Sequence, residues 1–259
     1  PETSSHGGIA KTLYRIRQFY YWPKMAQQVA KFVQNCQTCK ETKSSNQISN
    51  PGIGKQVKVE RPFQRIYIDF LGKYPRSKSG NSYIFIVVDA LTKFVFLKSM
   101  REANAKQVVK FLISEIFFKF GVPEIIHSDN GTQFTSKEYL RMIEAYNIKD
   151  SKTAFYSPQS NAAERVNQSV LQAIRSYLKT DHRDWDIYLP EIECALRSSI
   201  HQATGVTPFF ALFGHNMFLS GTDYKIAQKL NSLNEENILS LQHPDKLQII
   251  REKIKENLE

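Results

Sequence analysis

The run Ile125-Ile126-His127-Ser128-Asp129-Asn130-Gly131 constrains the fold of this chain more than any other stretch. A short apolar segment ends at an acidic residue followed by Asn-Gly, a turn signal, so a buried strand stops with a carboxylate at its mouth. Residues 130–163, 34 positions, separate Asp129 from Glu164. Glu164 follows the loop Tyr156–Ala163 and stands on the first turn of a predicted helix, Asn161–Thr180, whose Val166, Val170, Ile174 and Leu178 form one stripe. A third acid, Asp69, lies inside Arg65-Ile66-Tyr67-Ile68-Asp69-Phe70. An aspartate among β-formers contradicts local propensity, and such conflicts concentrate at functional sites.

The remaining elements define a fold class. Phe63–Leu71, Tyr83–Val88 and Phe94–Leu97 read as strands, with Asp89-Ala90-Leu91-Thr92 as a hairpin turn. Ala105–Phe120 reads as a helix ended by Gly121-Val122-Pro123. Glu124–Ser128 is then a short strand, Lys137–Tyr146 a helix, Ile148–Ala154 an edge strand and Trp185–Ser199 a further helix. Three strands followed by helices interleaved with short strands predict an α/β fold, a mixed sheet flanked by helices.

Ahead of this core, residues 1–43 form a small helical module. Ile9, Leu13 and Ile16 recur at helical spacing, as do Ala26, Val29, Phe32 and Val33 after Pro23, a residue suited to the first helical position. Two helices this short need a staple. His6, Cys36 and Cys39 supply three ligands for structural zinc, with 29 residues between the histidine and the first cysteine. The fourth ligand is expected upstream of Pro1. Residues 44–62 are a polar linker, 63–217 the core, and 218–259 a linker with a charged helix (Lys246, Arg251, Glu252, Lys253, Lys255, Glu256).

Charge points to the partner. The net charge is +10, and residues 1–59 hold nine lysines and arginines against Glu2 and Glu41. A polyanion is the natural partner, nucleic acid before membrane. No apolar run reaches the roughly 18 residues of a membrane span. Three cysteines, with Cys194 alone in an apolar helical pattern as a small core residue, fit an intracellular, reducing compartment rather than a disulfide scaffold. A chain that begins at Pro1 and shows no secretory leader reads as a piece of something longer.

Three motifs carry a family likeness. His6-Gly7-Gly8, then Tyr20-Tyr21-Trp22-Pro23-Lys24-Met25, then Cys36-Gln37-Thr38-Cys39 resembles the His-His-Cys-Cys zinc module of integrases from retroviruses and Gypsy-class LTR retrotransposons. The chain departs by lacking the first His. Ser128-Asp129-Asn130-Gly131-Thr132-Gln133-Phe134, Glu164-Arg165-Val166-Asn167 and Thr204-Gly205-Val206-Thr207-Pro208-Phe209 extend the likeness over about residues 6–217.

The resemblance implies a ribonuclease-H-like core and the catalytic acids Asp69, Asp129 and Glu164, with spacing between the last two one residue below the usual retroviral one. Three converging carboxylates make a hard-cation site, here for two Mg²⁺ or Mn²⁺ ions. The expected activity is 3′-end processing and strand transfer of double-stranded element DNA into target DNA by a homo-oligomer. Gln159, Asn161, Arg165 and Asn167 are candidate DNA contacts, with plain solvation as the other reading for the first three and local capping for Asn167. The protein is expected to be made within a cytoplasmic polyprotein and to act in the nucleus. Read singly, Asp69 is a solvated strand acid, Asp129 a turn residue and Glu164 a helix-dipole acid. In family order and context the three read together as a site. Asp89 and His127 read as a turn residue and a packed or surface imidazole. Two alternatives remain: a domesticated integrase-derived DNA-binding protein without catalysis, and a ribonuclease H acting on RNA–DNA hybrids.

Overall fold

The computed structural model describes residues 7–37, 59–152, 168–174, 182–220 and 243–258. Its centre is a five-stranded mixed sheet built from β1 (Arg65–Leu71), β2 (Tyr83–Asp89), β3 (Val95–Met100), β4 (Ile125–Ser128) and β5 (Lys149–Lys152), in the order β3-β2-β1-β4-β5. The first three strands pair antiparallel, whereas β4 runs parallel to both β1 and β5.

Period-two patterning sorts the side chains. From β1 and β2, Ile66, Ile68, Phe85 and Val87 face one layer. There they meet Leu112, Ile116 and Phe117 of a long helix, α3 (Ala105–Phe120), and Tyr139, Met142 and Ile143 of α4 (Lys137–Ala145). Ile84, Ile86 and Val88 face the other layer, formed by Val170, Ala173 and Ile174 of α5 (168–174) and by Trp185, Leu189 and Ile192. Each such side chain contributes roughly 1.5–3 kcal/mol by leaving water. Strand propensities span only about 1 kcal/mol, so the fully buried neighbours of Asp69 hold it in a strand that its own propensity opposes.

Helix α3 is continuous from Ala105 to Phe120 but winds as a π-helix over Leu112–Phe117. Asn104 starts it by accepting from the Lys106 N–H, as Ser136 starts α4 by accepting from Tyr139. Gly72 ends β1 with φ +122°, where a Cβ would stand 2.7 Å from the Ser82 carbonyl oxygen. No helix among the described residues is long and apolar enough to cross a membrane.

Several expectations need correction. Pro23 does not open the second helix: Lys24, at φ +62°, caps it, and α2 runs Met25–Gln34 after α1, Ile9–Arg17. Trp185–Ser199 is not one helix. A 3₁₀ turn (His182–Asp184) and a bend place Trp185 in the core, its indole N–H donating to the Pro75 carbonyl at 3.0 Å, before α6 (Leu189–Ser198) begins. The charged helix near the end, α8 (His243–Leu258), does more than link: Ile254 packs with Leu91 and with Ala211 of α7 (Pro208–Phe213). Thr207 caps α7, so the Thr204–Phe209 motif is a folded helix entry.

Candidate active site

On β1, Asp69 shares a face with Tyr67 and Leu71, both packed against the layer that contains α5. It pairs with Ile86, whose side chain faces the same layer. One carboxylate oxygen, Oδ1, accepts the Phe70 N–H at 2.7 Å, and the residue is half-buried.

Asp129 follows β4 directly. Strands β1 and β4 pair in parallel with Tyr67 opposite His127. Two residues further along each chain stand Asp69, still on β1, and Asp129, just past the end of β4. Asp129 is exposed, and its Oδ1 accepts the Gly131 N–H at 2.9 Å. A Cβ at Gly131 would stand 2.9 Å from that oxygen and 2.3 Å from Gln133 Nε2. The bare glycine therefore leaves room for the carboxylate to fold back over the turn.

The third acid, Glu164, lies outside the described residues, as do Gln159, Asn161, Arg165 and Asn167. Helix α5, which is described from residue 168, packs on the face that carries Asp69. Among the described residues no group of three or more potential ligands clusters. The donor set present still suits a hard divalent cation: two oxygen-only carboxylates, Asp69 on β1 and Asp129 just after β4, with no ion pair to Asp129 among the described residues.

Of the expected zinc ligands, His6 and Cys39 lie outside the described residues, whereas Cys36 follows α2 and is half-buried. Helix α1 buries no residue fully and α2 only Met25 and Val29. So small a core fits a module that needs a metal staple. Beside Cys36, a cavity of about 450 Å³ is lined by Gln28, Lys31, Phe32 and Asn35.

Asp89 resolves as a structural acid. It is fully buried, with Oδ1 accepting the Phe63 N–H at 2.8 Å and Oδ2 accepting the Thr92 N–H and hydroxyl at 2.8 and 2.6 Å. Burial raises its pKa above the usual carboxylate range, against the pull of those three donors. His127 is a packed imidazole, edge-on to Tyr67 at 5.2 Å with Nδ1 3.1 Å from Ser151 Oγ. Two residues near the site escaped sequence reasoning: Ser128 and Lys152, which stand opposite each other on β4 and β5. Only the strand register pairs them.

Comparison with known proteins bears on the family and the fold. The family model for the integrase core domain matches residues 59–158, and that for the integrase zinc binding domain matches residues 1–45. The chain joins an integrase zinc-binding domain to an integrase core domain. The Pro-Pol polyprotein of feline foamy virus is 29% identical over 248 residues, covering 93% of this chain and 21% of the relative. The retrovirus-related Pol polyprotein from transposon 412 of Drosophila melanogaster is 27% identical over 215 residues, covering 83% and 17%. This integrase chain thus spans about a fifth of the length of these relatives. Among solved structures, a simian T-cell lymphotropic virus intasome in complex with PP2A regulatory subunit B56 gamma superposes with a TM-score of 0.57 at 13% identity. That superposition covers 84% of this chain and 72% of the other, and shows the shared fold.

Proposed function

We propose that this integrase trims the 3′ ends of element DNA and joins them to target DNA, with Asp69, Asp129 and Glu164 as the catalytic acids. The observation that supports the reading is the parallel β1–β4 register, Tyr67 opposite His127, with Asp69 and Asp129 each two residues further along the chain. When bound, a pair of Mg²⁺ or Mn²⁺ ions supplies activation of the attacking oxygen and stabilisation of the leaving one. The chain's part is to hold oxygen donors in place: Asp69 within a strand that has packed layers on both faces, and Asp129 on a turn braced by the Gly131 amide. Gln159, Asn161, Arg165 and Asn167 are assigned to DNA contact. His6, Cys36 and Cys39 are assigned to structural zinc, in a homo-oligomer acting on double-stranded DNA in the nucleus. The positive net charge supports a phosphate-rich partner.

The test is a strand-transfer assay with labelled DNA ends and Mg²⁺ or Mn²⁺, comparing wild type with Asp69→Asn, Asp129→Asn and Glu164→Gln. Joined product should fall by roughly a thousandfold in each variant, since several kcal/mol of charge stabilisation is removed. DNA binding with no joining, unaffected by the substitutions, would establish a non-catalytic binding protein. Hybrid cleavage without joining would establish a ribonuclease H.

A further inference from the structure

Asp129 sits on a turn whose two ends are gathered by one side chain. The Lys152 ammonium, projecting from β5, donates to Ser128 Oγ at 2.8 Å and to the Phe134 carbonyl at 2.9 Å. Its third contact is Asp150 Oδ2 at 3.0 Å. An ammonium has three N–H donors, so this set satisfies all of them. Ser128 immediately precedes Asp129, and its hydroxyl passes the link onward by donating to the Asp129 carbonyl at 3.1 Å. Phe134 closes the far end, its N–H donating to the Gly131 carbonyl at 2.9 Å. The Lys152 ammonium also lies 4.9 Å from the Tyr139 ring centroid and 5.9 Å from that of Phe134. Both rings are fully buried, which fixes the cation's place between the sheet and α4.

We infer that Lys152 is a positioning residue for Asp129: by fastening Ser128 and Phe134 it sets the shape of the turn that presents the carboxylate. Strand parity supports an indirect role. Lys152 pairs with Ser128, and Asp150 with Ile126, so these side chains share the layer of Phe134 and Tyr139. His127 and Tyr67 project to the opposite face, the parity of Asp69 and Asp129. The ammonium therefore works from behind the site and does not meet the substrate. Its charge is balanced locally by Asp150, so it braces the turn without placing an unpaired positive charge behind the carboxylates. A ligand group has to be held to within about half an ångström, and a turn on four exposed or half-exposed residues cannot do this alone.

The inference rests on the metal-site reading for its consequence but not for its test. In the metal-free full chain, Lys152→Met should raise hydrogen exchange at the Gly131 amide, the donor to Asp129, by about tenfold or more. Mn²⁺ affinity, read by electron paramagnetic resonance, should fall about tenfold, the usual scale for losing a group that orients a ligand. The Mn²⁺ concentration for half-maximal strand transfer should rise by the same factor, with a smaller change in the rate at saturating Mn²⁺. Lys152→Arg, which keeps the charge, should recover part of each effect. Ser128→Ala removes one acceptor and serves as the second variant should Lys152→Met not fold, with changes of the same sign and smaller size. Unaltered Gly131 exchange and Mn²⁺ binding in whichever variant folds would overturn the inference. A wild type whose Mn²⁺ binding survives Asp129→Asn would instead sink the metal-site reading, and the exchange experiment would still decide the role of Lys152.

Discussion

Two strand-to-turn junctions in this chain each begin with an aspartate, and the molecule treats them in opposite ways. At the end of β2, Asp89 is fully buried and both its oxygens are engaged: Phe63 donates to one, Thr92 twice to the other. At the end of β4, Asp129 is exposed and accepts one backbone N–H from Gly131. The first carboxylate is consumed by the fold. The second is held by one oxygen and presents the other outward. Residue type and turn context are nearly the same, so the difference between structural and functional acid lies in how many of its lone pairs the protein itself uses.

The largest stability effect should separate the two. Asp89→Ala leaves three buried donors without an acceptor. At about 1–3 kcal/mol for each unsatisfied group, with the Thr92 hydroxyl free to turn elsewhere, the two stranded N–H groups make the expected loss about 2–6 kcal/mol. Asp129→Asn should lie within about 0.5 kcal/mol of wild type, as exposed substitutions do, while abolishing strand transfer. Urea denaturation of both variants checks this. Equal losses would mean that the β4 junction is also a structural device.

The closed junction is closed further along β3, an edge strand. Edge strands leave backbone groups unpaired, and here α6 takes them: Arg197 Nε donates to the Val95 carbonyl at 2.8 Å and Glu193 accepts the Leu97 N–H at 2.6 Å. Glu193 and Arg197 also pair with each other at 2.6 Å, and the guanidinium stacks 4.2 Å from the Phe94 centroid and 4.8 Å from that of Phe96. Burial raises the Glu193 pKa, with the Arg197 charge opposing it. Arg197→Ala should therefore cost about 2 kcal/mol, below the 3–5 typical of breaking a fully buried pair because both side chains keep some solvent contact. Arg197→Lys should recover part of it. A loss under about 0.5 kcal/mol would show that the covered edge owes its stability to apolar packing alone.

The same contrast explains what could be read in the chain beforehand. The strand, stop and turn at Ile125–Gly131 were legible because apolar run, acid and Asn-Gly are local signals. So was Ala105–Phe120, with Asn104 before it and Gly121 after it. The role of Asp89 was not, since its decisive donor, Phe63 N, is 26 positions away. Lys152 was invisible for the same reason: its link to Ser128 exists only once β4 and β5 are paired. Residues 243–258 showed charge, and their docking rests on Ile254, with Ile250 and Leu258 beside it, meeting Leu91 and Ala211 from distant parts of the chain. For the proposed catalytic acids, the parallel pairing of β1 with β4 came from strand register, which local patterning does not encode.

The smallest effect concerns His127, one strand position from Ser128 at the open junction. Burial holds its pKa below the ordinary value of 6.5, the charges of Arg65 and Lys152 act in the same direction, and Asp150 acts against them. Because the folded-state pKa is depressed, the unfolded chain binds a proton that the folded chain refuses. The contribution to stability is thus full above about 6.5 and is lost as pH falls from there through the folded-state value. Denaturation at pH 8, 6 and 5 should show wild type losing more stability over this window than His127→Gln, which removes the titration. The excess should be smaller than either effect above, and it should disappear if Tyr67 and Ser151 do not enclose the ring. The same measurement on Asp89→Asn should leave the His127 contribution intact, because Asp89 bonds Phe63 and Thr92 while His127 meets Tyr67 and Ser151. Loss of the His127 signal in Asp89→Asn would mean that the two junctions are coupled through the sheet, and that the closed one sets the geometry of the open one.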